Sequence, residues 1–219
     1  KVCVVDLDAQ HNLSRHFGVW AIPSEQTPTI TELFRAAIDD CPDETMKQMV
    51  YDSICQTTTV DMIPSTVQLS SLETVIPTAT SREHLLEYIL SYIKKDYDYI
   101  FLDCHPGLDI FSINALTASD SVLIPVEAHI LSSDGLDQID RMIRTVQRKL
   151  NPRLQIGGII ITKFQGHTSY CRQVYEIVKR DFGSQIHIFE EPVKYAIKVA
   201  EAPAFGISLH EYAPNIEPA

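Results

Sequence analysis

The sequence predicts an α/β fold in which a doubly wound, mostly parallel sheet is flanked by helices. Two observations predict this fold. Short apolar runs without polar alternation are typical of strands buried on both faces. Amphipathic segments lie between these runs, and strand–helix alternation is the pattern of a doubly wound sheet. The chain has 219 residues, 45% of them hydrophobic, so we expect residues 1–219 to form a single domain around one core.

Six apolar runs are the predicted strands. The first is β-branched and ends in two aspartates, Asp6 and Asp8, and the third ends in Asp103. The six strands are expected, in chain order, at residues 2–7, 59–63, 99–102, 122–126, 156–162 and 186–189.

Three amphipathic segments between these runs are predicted helices. Thr80 and Glu83 fit a capping box at the start of the first helix. Pro152 follows the second helix, and Gly183 closes the third. The helices are expected at residues 80–95, at 136–150 and around 174–178, and a less regular, helix-rich insertion is expected at 23–53.

Composition excludes several classes of protein. A membrane span needs about 20 apolar residues, and no stretch of that kind is visible, nor is a secretory signal peptide. Five cysteines without paired spacing indicate a reducing compartment. The net charge of −11 argues against non-specific binding to nucleic acid. Residues 141–198, however, have eleven basic and four acidic side chains, which predicts a local basic surface.

Carboxylates follow two of the predicted strands. In an open parallel sheet, ligands bind beyond the carboxyl ends of the strands, where we expect Asp6, Asp8 and Asp103. An aspartate after an apolar strand is typical of a magnesium site in nucleotide-binding proteins. Each aspartate alone could equally cap the following helix. Two such strand ends in one chain favour a metal and nucleotide site.

Four segments resemble motifs of the ParA/Soj family of DNA-partitioning ATPases, a deviant Walker group that includes MinD. Residues 4–12, VVDLDAQHN, resemble the family's D-x-D-P-Q-G-N signature. Residues 60–65 (VDMIPS), 97–106 (YDYIFLDCHP) and 200–206 (AEAPAFG) resemble three further family motifs in the same order. The match covers nearly the whole chain and implies a P-loop NTPase-like fold.

The resemblance implies Mg²⁺-dependent ATP hydrolysis. Asp8 would be the catalytic residue that orients the attacking water, and Asp103 would hold Mg²⁺ through water, with Asp6 supporting it. Gln10 and Asn12 would lie in a switch loop that senses the γ-phosphate. The residues expected to flank the adenine are Thr162, Val193, Lys194 and Ala196.

The resemblance also implies partners and a location. ATP binding would bring two chains together as a homodimer, and the dimer would bind DNA without sequence preference in the bacterial cytoplasm, at the nucleoid. A centromere-binding, ParB-like protein would stimulate hydrolysis. The candidate DNA-binding residues are Lys198, Arg172, Arg141, Arg144 and Arg148. From spacing alone, a solvated helix face is the favoured explanation of the three arginines at 141–148, and it is the resemblance that raises DNA binding to an equal alternative.

Some positions depart from the family pattern. Ala9 and His11 replace a proline and a glycine in the first motif, and His105 replaces a proline after Asp103. The family's first strand and glycine-rich P-loop are absent from residues 1–219, as is its last helix. We therefore expect a domain truncated at both ends that is inactive by itself. The alternatives are a MinD-like positioning ATPase at a membrane and a non-catalytic binding module that has lost its P-loop.

Overall fold

The computed structural model describes residues 1–19, 27–128 and 133–214. The chain divides into two compact units. Unit 1 comprises residues 1–118 and 205–207, and unit 2 comprises 119–204 and 208–219. The observed architecture is the predicted α/β fold with mostly parallel strands and flanking helices. That residues 1–219 form one functional domain stays a prediction.

Unit 1 is built on a four-stranded sheet. Its strands are β1 (Val2–Leu7), β2 (Cys55–Gln56), β3 (Asp61–Ile63) and β4 (Tyr99–Cys104), in the spatial order β2-β3-β1-β4. β1 pairs in parallel with β3 and with β4, and β2 pairs antiparallel with β3. Parallel pairing brings the carboxyl ends of β1 and β4 to one edge of the sheet, as predicted.

Helices cover this sheet and form the core with it. The described helices of unit 1 are α1 (Asn12–His16), α2 (Ile30–Ile38), α3 (Asp43–Asp52), α4 (Leu85–Ser91) and α5 (Ile110–Ala118), with 3-10 turns at Val67–Glu73 and Ile76–Thr78. Phe34 and Phe111 are buried and meet edge to face with their centroids 5.5 Å apart. The helix-rich region predicted at 23–53 is confirmed by α2 and α3, except that residues 20–26 lie outside the described chain.

The capping box predicted at Thr80 is wrong. α4 begins at Leu85, and Ser81 adopts a left-handed backbone with φ 50°. The amide of Leu86 instead donates to Oδ1 of Asn114 at 3.0 Å, and the Asn114 amide nitrogen donates to the carbonyls of Arg82 and Ile110 at 2.8 and 2.9 Å. A fully buried side chain of α5 therefore satisfies the start of α4.

Unit 2 is built on two parallel strands, β5 (Ser121–Glu127) and β6 (Gln155–Thr162). Its described helices are α6 (Ser133–Lys149), α7 (Ser169–Phe182), α8 (Ile197–Glu201) and α9 (Leu209–Tyr212). α6 and α7 confirm two predicted helices, and Gly183 caps the C-terminal end of α7 as expected.

Two predicted strands differ from expectation: one forms no continuous strand, and one is shorter. The run at 186–189 makes a single parallel bridge, between Ile188 and Ile159. β3 begins at Asp61 because the hydroxyl of Thr57 donates to the carbonyl of Val60 at 2.6 Å and closes a turn there. No helix in the described ranges is long and apolar enough to cross a membrane.

Candidate active site

Three carboxylates gather where β1 and β4 end in unit 1. The parallel register places Asp6 opposite Asp103, and Asp8 follows β1 directly. Asp103 keeps solvent exposure, but the surrounding protein removes part of the hydration of its carboxylate. This desolvation, with the nearby charges of Asp6 and Asp8, raises the pKa of Asp103 to about 6. A cation bound here would relieve the repulsion among these like charges.

Asp6 is fully buried, and both of its oxygens accept hydrogen bonds from the protein. Oδ1 accepts from the amide of Asp8 at 3.0 Å. Oδ2 accepts from the amide of Ser14 at 2.9 Å and from its hydroxyl at 2.7 Å. A buried carboxylate requires such partners. Any support that Asp6 gives to a metal would therefore act through the loop that it holds, and the metal role of Asp6 stays a prediction.

The loop after β1 forms a tight turn around Asp8. The Asp8 carboxylate accepts from the amide of Gln10 at 2.9 Å, and its carbonyl accepts from the amide of His11 at 2.9 Å. His11 has φ 46°, in the left-handed region that favours glycine. His11 thus adopts a backbone conformation that suits glycine, the residue type at this position of the family motif that residues 4–12 resemble.

A cavity of about 470 Å³ opens beside this loop within unit 1. Polar and apolar side chains line it together, among them Asp8, Gln10, Asn12, Glu73, His105, Leu69 and Phe111. The structure therefore places the predicted catalytic and switch residues around one cavity.

His105 is held in place beside the cavity by Asp109. Nε2 of His105 lies 2.6 Å from Oδ2 of Asp109. The other oxygen of Asp109 accepts from the amides of Phe111 and Ser112, both at 3.0 Å, and so caps α5. The histidine that replaces proline is thus tied to the start of the next helix.

The donor set at this edge fits Mg²⁺ better than a transition metal. Within the described ranges, no three histidine, cysteine, aspartate or glutamate side chains form a metal-binding group. Mg²⁺ keeps several waters and needs one or two protein carboxylates, the remainder coming from substrate phosphates. Asp103 meets this requirement, because the residue is exposed and its carboxylate receives no hydrogen bond from the described residues.

The residues expected to flank adenine meet in unit 2. Residues 193–196 run beside the end of β6: the amide of Val193 donates to the carbonyl of Ile161 at 2.8 Å, and Lys194 bridges Phe164 in parallel. The hydroxyl of Thr162 donates to the carbonyl of Val126 at 3.4 Å. Ala196 directly precedes α8. The four predicted residues therefore lie on two adjacent segments, the end of β6 and residues 193–196, which we call the strip.

The candidate DNA-binding residues are all exposed and lie in unit 2. Three of them share one face of α6, because they are spaced by three and four residues. Arg144 of this face is also paired, with Asp140 at 2.6 Å and with the side chain of Gln185 at 3.1 Å. The five exposed residues are Arg141, Arg144, Arg148, Arg172 and Lys198.

Comparison with known proteins decides the family. Residues 1–156 match a family model described as an AAA domain. The chain is 35% identical over 217 residues to the sporulation initiation inhibitor protein Soj of Bacillus subtilis, covering 98% of this chain and 80% of that protein. The chain belongs to the ParA/Soj family. The chromosome partitioning protein ParA of Caulobacter vibrioides is 30% identical over 210 residues, covering 94% of this chain and 73% of that ParA.

A solved structure shares the fold of this ParA/Soj chain. Cobyrinic acid a,c-diamide synthase of Mycobacterium smegmatis, with a bound ATP analogue and magnesium, aligns with a TM-score of 0.76 at 23% identity. The alignment covers 100% of this chain and 86% of that chain. At this level of identity the similarity concerns the fold alone.

Two residues of the site, Asp109 and Ser14, are not among those predicted from the sequence. Asp109 follows a glycine turn and precedes an uncharged run at 110–119, which is a signal for a helix N-cap. Ser14 has no comparable signal, because its contact with Asp6 spans eight residues and depends on where α1 packs.

Proposed function

We propose that this chain is the ATPase domain of a ParA/Soj-type partitioning protein that hydrolyses ATP with Mg²⁺. The observation that supports it most is the carboxylate cluster at the paired ends of β1 and β4, with Asp6 opposite Asp103. Family membership supports the ATPase reaction, and a protein of the same fold binds an ATP analogue and magnesium.

Asp103 and Asp8 have distinct roles in this proposal. Asp103, whose carboxylate lies beside the negative charges of Asp6 and Asp8, would hold Mg²⁺ through water once it is ionised. Asp8 orients the water that attacks the γ-phosphate, because its backbone is fixed by the turn that follows it. Mg²⁺ held by Asp103 would supply positive charge that offsets the charge on the phosphates. Gln10 and Asn12 line the same cavity as Asp8 and sense the γ-phosphate.

Unit 2 supplies adenine and DNA contacts in the same proposal. The strip formed by Thr162 and residues 193–196 flanks the adenine. The exposed basic residues of α6, α7 and α8 contact DNA phosphates without reading sequence. The proposal further includes a homodimer formed on ATP binding, a ParB-like partner and a place at the bacterial nucleoid.

The test compares the intact protein with its Asp8→Ala variant. We expect the variant to lose at least about 100-fold in kcat, since water positioning contributes on this scale, while a fluorescent ATP analogue still binds. Asp39→Ala, at an exposed carboxylate on the C-terminal side of α2, is the control. An intact protein that neither binds nor hydrolyses ATP would contradict the proposal and favour a non-catalytic binding module.

DNA binding is measured on the same sample. Retention of the ATP-bound protein on non-specific DNA should fall steeply with added salt, because phosphate contacts release counterions. Binding to anionic lipid vesicles in place of DNA would favour a MinD-like role.

A further inference from the structure

We propose that Ser14 is a positioning residue that keeps Asp8 in place by linking Asp6 to the loop after β3. The geometry of this link is independent of the proposed function. Only the catalytic consequence rests on the proposed role of Asp8. We call the link, formed by Asp6, Ser14 and the amide of Ser65, the serine latch.

The hydroxyl of Ser14 is both donor and acceptor in the serine latch. It donates to Oδ2 of Asp6 at 2.7 Å and accepts from the amide of Ser65 at 3.0 Å. Ser14 is only 1% exposed, so water cannot replace these bonds readily. One hydroxyl therefore joins three segments of chain: the end of β1, α1, and the loop after β3.

The serine latch reaches Asp8 through the carboxylate of Asp6. Because a carboxylate is planar, the bonds that hold Oδ2 at Ser14 also fix the direction in which Oδ1 points. Oδ1 accepts from the amide of Asp8 at 3.0 Å. The hydroxyl of Ser14 thus sets the starting point of the turn that carries the Asp8 side chain.

The far end of the serine latch, the loop after β3, is bonded to the buried start of α2. In the loop after β3, the carbonyl of Pro64 accepts from the amide of Ile30 at 3.0 Å. The hydroxyls of Thr66 and Thr31 lie 3.3 Å apart. Ile30 and Thr31 are fully buried at the start of α2. Ser14 therefore ties the loop at residues 8–13 to the buried start of α2.

A merely structural serine makes a different prediction. Ser53 is also fully buried, and its hydroxyl donates to the carbonyl of Val50 at 2.7 Å, at the end of α3. Loss of either hydroxyl lowers stability. Only loss of the Ser14 hydroxyl should change the loop at residues 8–13 and the catalytic step.

The experiment uses the intact protein with Ser14→Ala, Ser14→Thr and the control Ser53→Ala. Amide hydrogen exchange of peptides covering residues 8–13 is the readout that needs no activity. We expect about tenfold faster exchange in Ser14→Ala, unchanged exchange in Ser53→Ala, and substantial recovery in Ser14→Thr, which keeps the hydroxyl. In ATP hydrolysis, kcat of Ser14→Ala should fall about tenfold while KM for ATP stays within twofold.

The possible outcomes separate the latch from the proposed function. Unchanged exchange in Ser14→Ala, or an equal change in Ser53→Ala, would overturn the latch. So would a Ser14→Thr variant that melts like wild type but fails to recover exchange. If the wild-type protein hydrolyses no ATP, the proposed function fails, and the exchange measurements alone still decide whether the latch exists.

Discussion

β1 and β4 each have an aspartate near the carboxyl end, and these two aspartates pair in register but lie in different surroundings. Asp6 is fully buried, and three protein donors occupy its oxygens. Asp103, its partner in register, is exposed, and the pKa of its carboxyl is raised to about 6. The comparison teaches that hydrogen bonding, and not position in the strand, separates an aspartate that builds the loop from one available to a cation.

The largest expected effect is at Asp6. Asp6→Asn keeps the shape but places an NH₂ group against amide or hydroxyl donors, leaving at least one buried donor unpaired. We expect the free energy of unfolding to fall by about 3 kcal/mol, since hydrogen bonds to buried charged groups are costly to break. Urea denaturation at pH 7.5 measures it. The same change at Asp103 is the matched control. An equal loss in the free energy of unfolding at both positions would show that the two aspartates do not differ in their structural role.

A smaller effect of opposite sign is expected for Asp103→Asn. Because the folded-state pKa of Asp103 lies above its ordinary value, the folded state favours the protonated carboxyl. The associated stability is fully present below about pH 4 and is lost as the pH rises through about 6. At pH 7.5 the amide variant should therefore be the more stable, by less than about 1 kcal/mol because the residue is exposed.

The pH series supplies the check for Asp103. The stability difference between Asp103→Asn and wild type should vanish near pH 4 and reappear by pH 7. Magnesium should narrow the difference at pH 7.5 in the intact protein, since wild type alone keeps the carboxylate. A difference that is constant across this pH range would show that Asp103 ionises as an ordinary carboxyl.

The smallest expected change in the free energy of unfolding is at His11, in the turn after β1. His11 adopts φ 46°, where a side chain costs roughly 1 kcal/mol relative to glycine. His11→Gly should therefore raise the free energy of unfolding by about 0.5 kcal/mol. Ala9→Gly, in the same turn but at a residue without positive φ, should lower it instead. Thermal melts of the two variants measure the contrast.

The fold was largely predictable from sequence because its strands are continuous apolar runs. The order of motifs also located Asp6, Asp8 and Asp103, and the parallel sheet confirmed that Asp6 and Asp103 lie together. What could not be predicted depends on contacts between distant segments. Local spacing does not predict that Asp6 is buried and hydrogen-bonded while Asp103 is exposed, and it does not predict the contact between Ser14 and Asp6. The hydrogen bonds of Asp6 and Ser14 depend on where α1 packs.

The error at Thr80 has the same physical cause. Thr80 and Glu83 have the correct spacing for a capping box, but the amide at the start of α4 has a competing partner in Asn114. Propensity and capping rules use only residues that are close in sequence, so they do not include a partner such as Asn114. The segments 20–26 and 129–132 lie outside the described residues, so the predicted insertion at 23–53 is tested only from residue 27 onwards.

Asn114 also bears on the order in which unit 1 folds. α4 has only seven residues, too few for an isolated helix to persist in water. Its first turn is completed by a side chain twenty-eight positions later in the chain. During synthesis, residues 85–91 therefore emerge before the group that stabilises their helical start. Once docked, α4 and α5 should open together as one cooperative unit, with neither surviving the loss of the other.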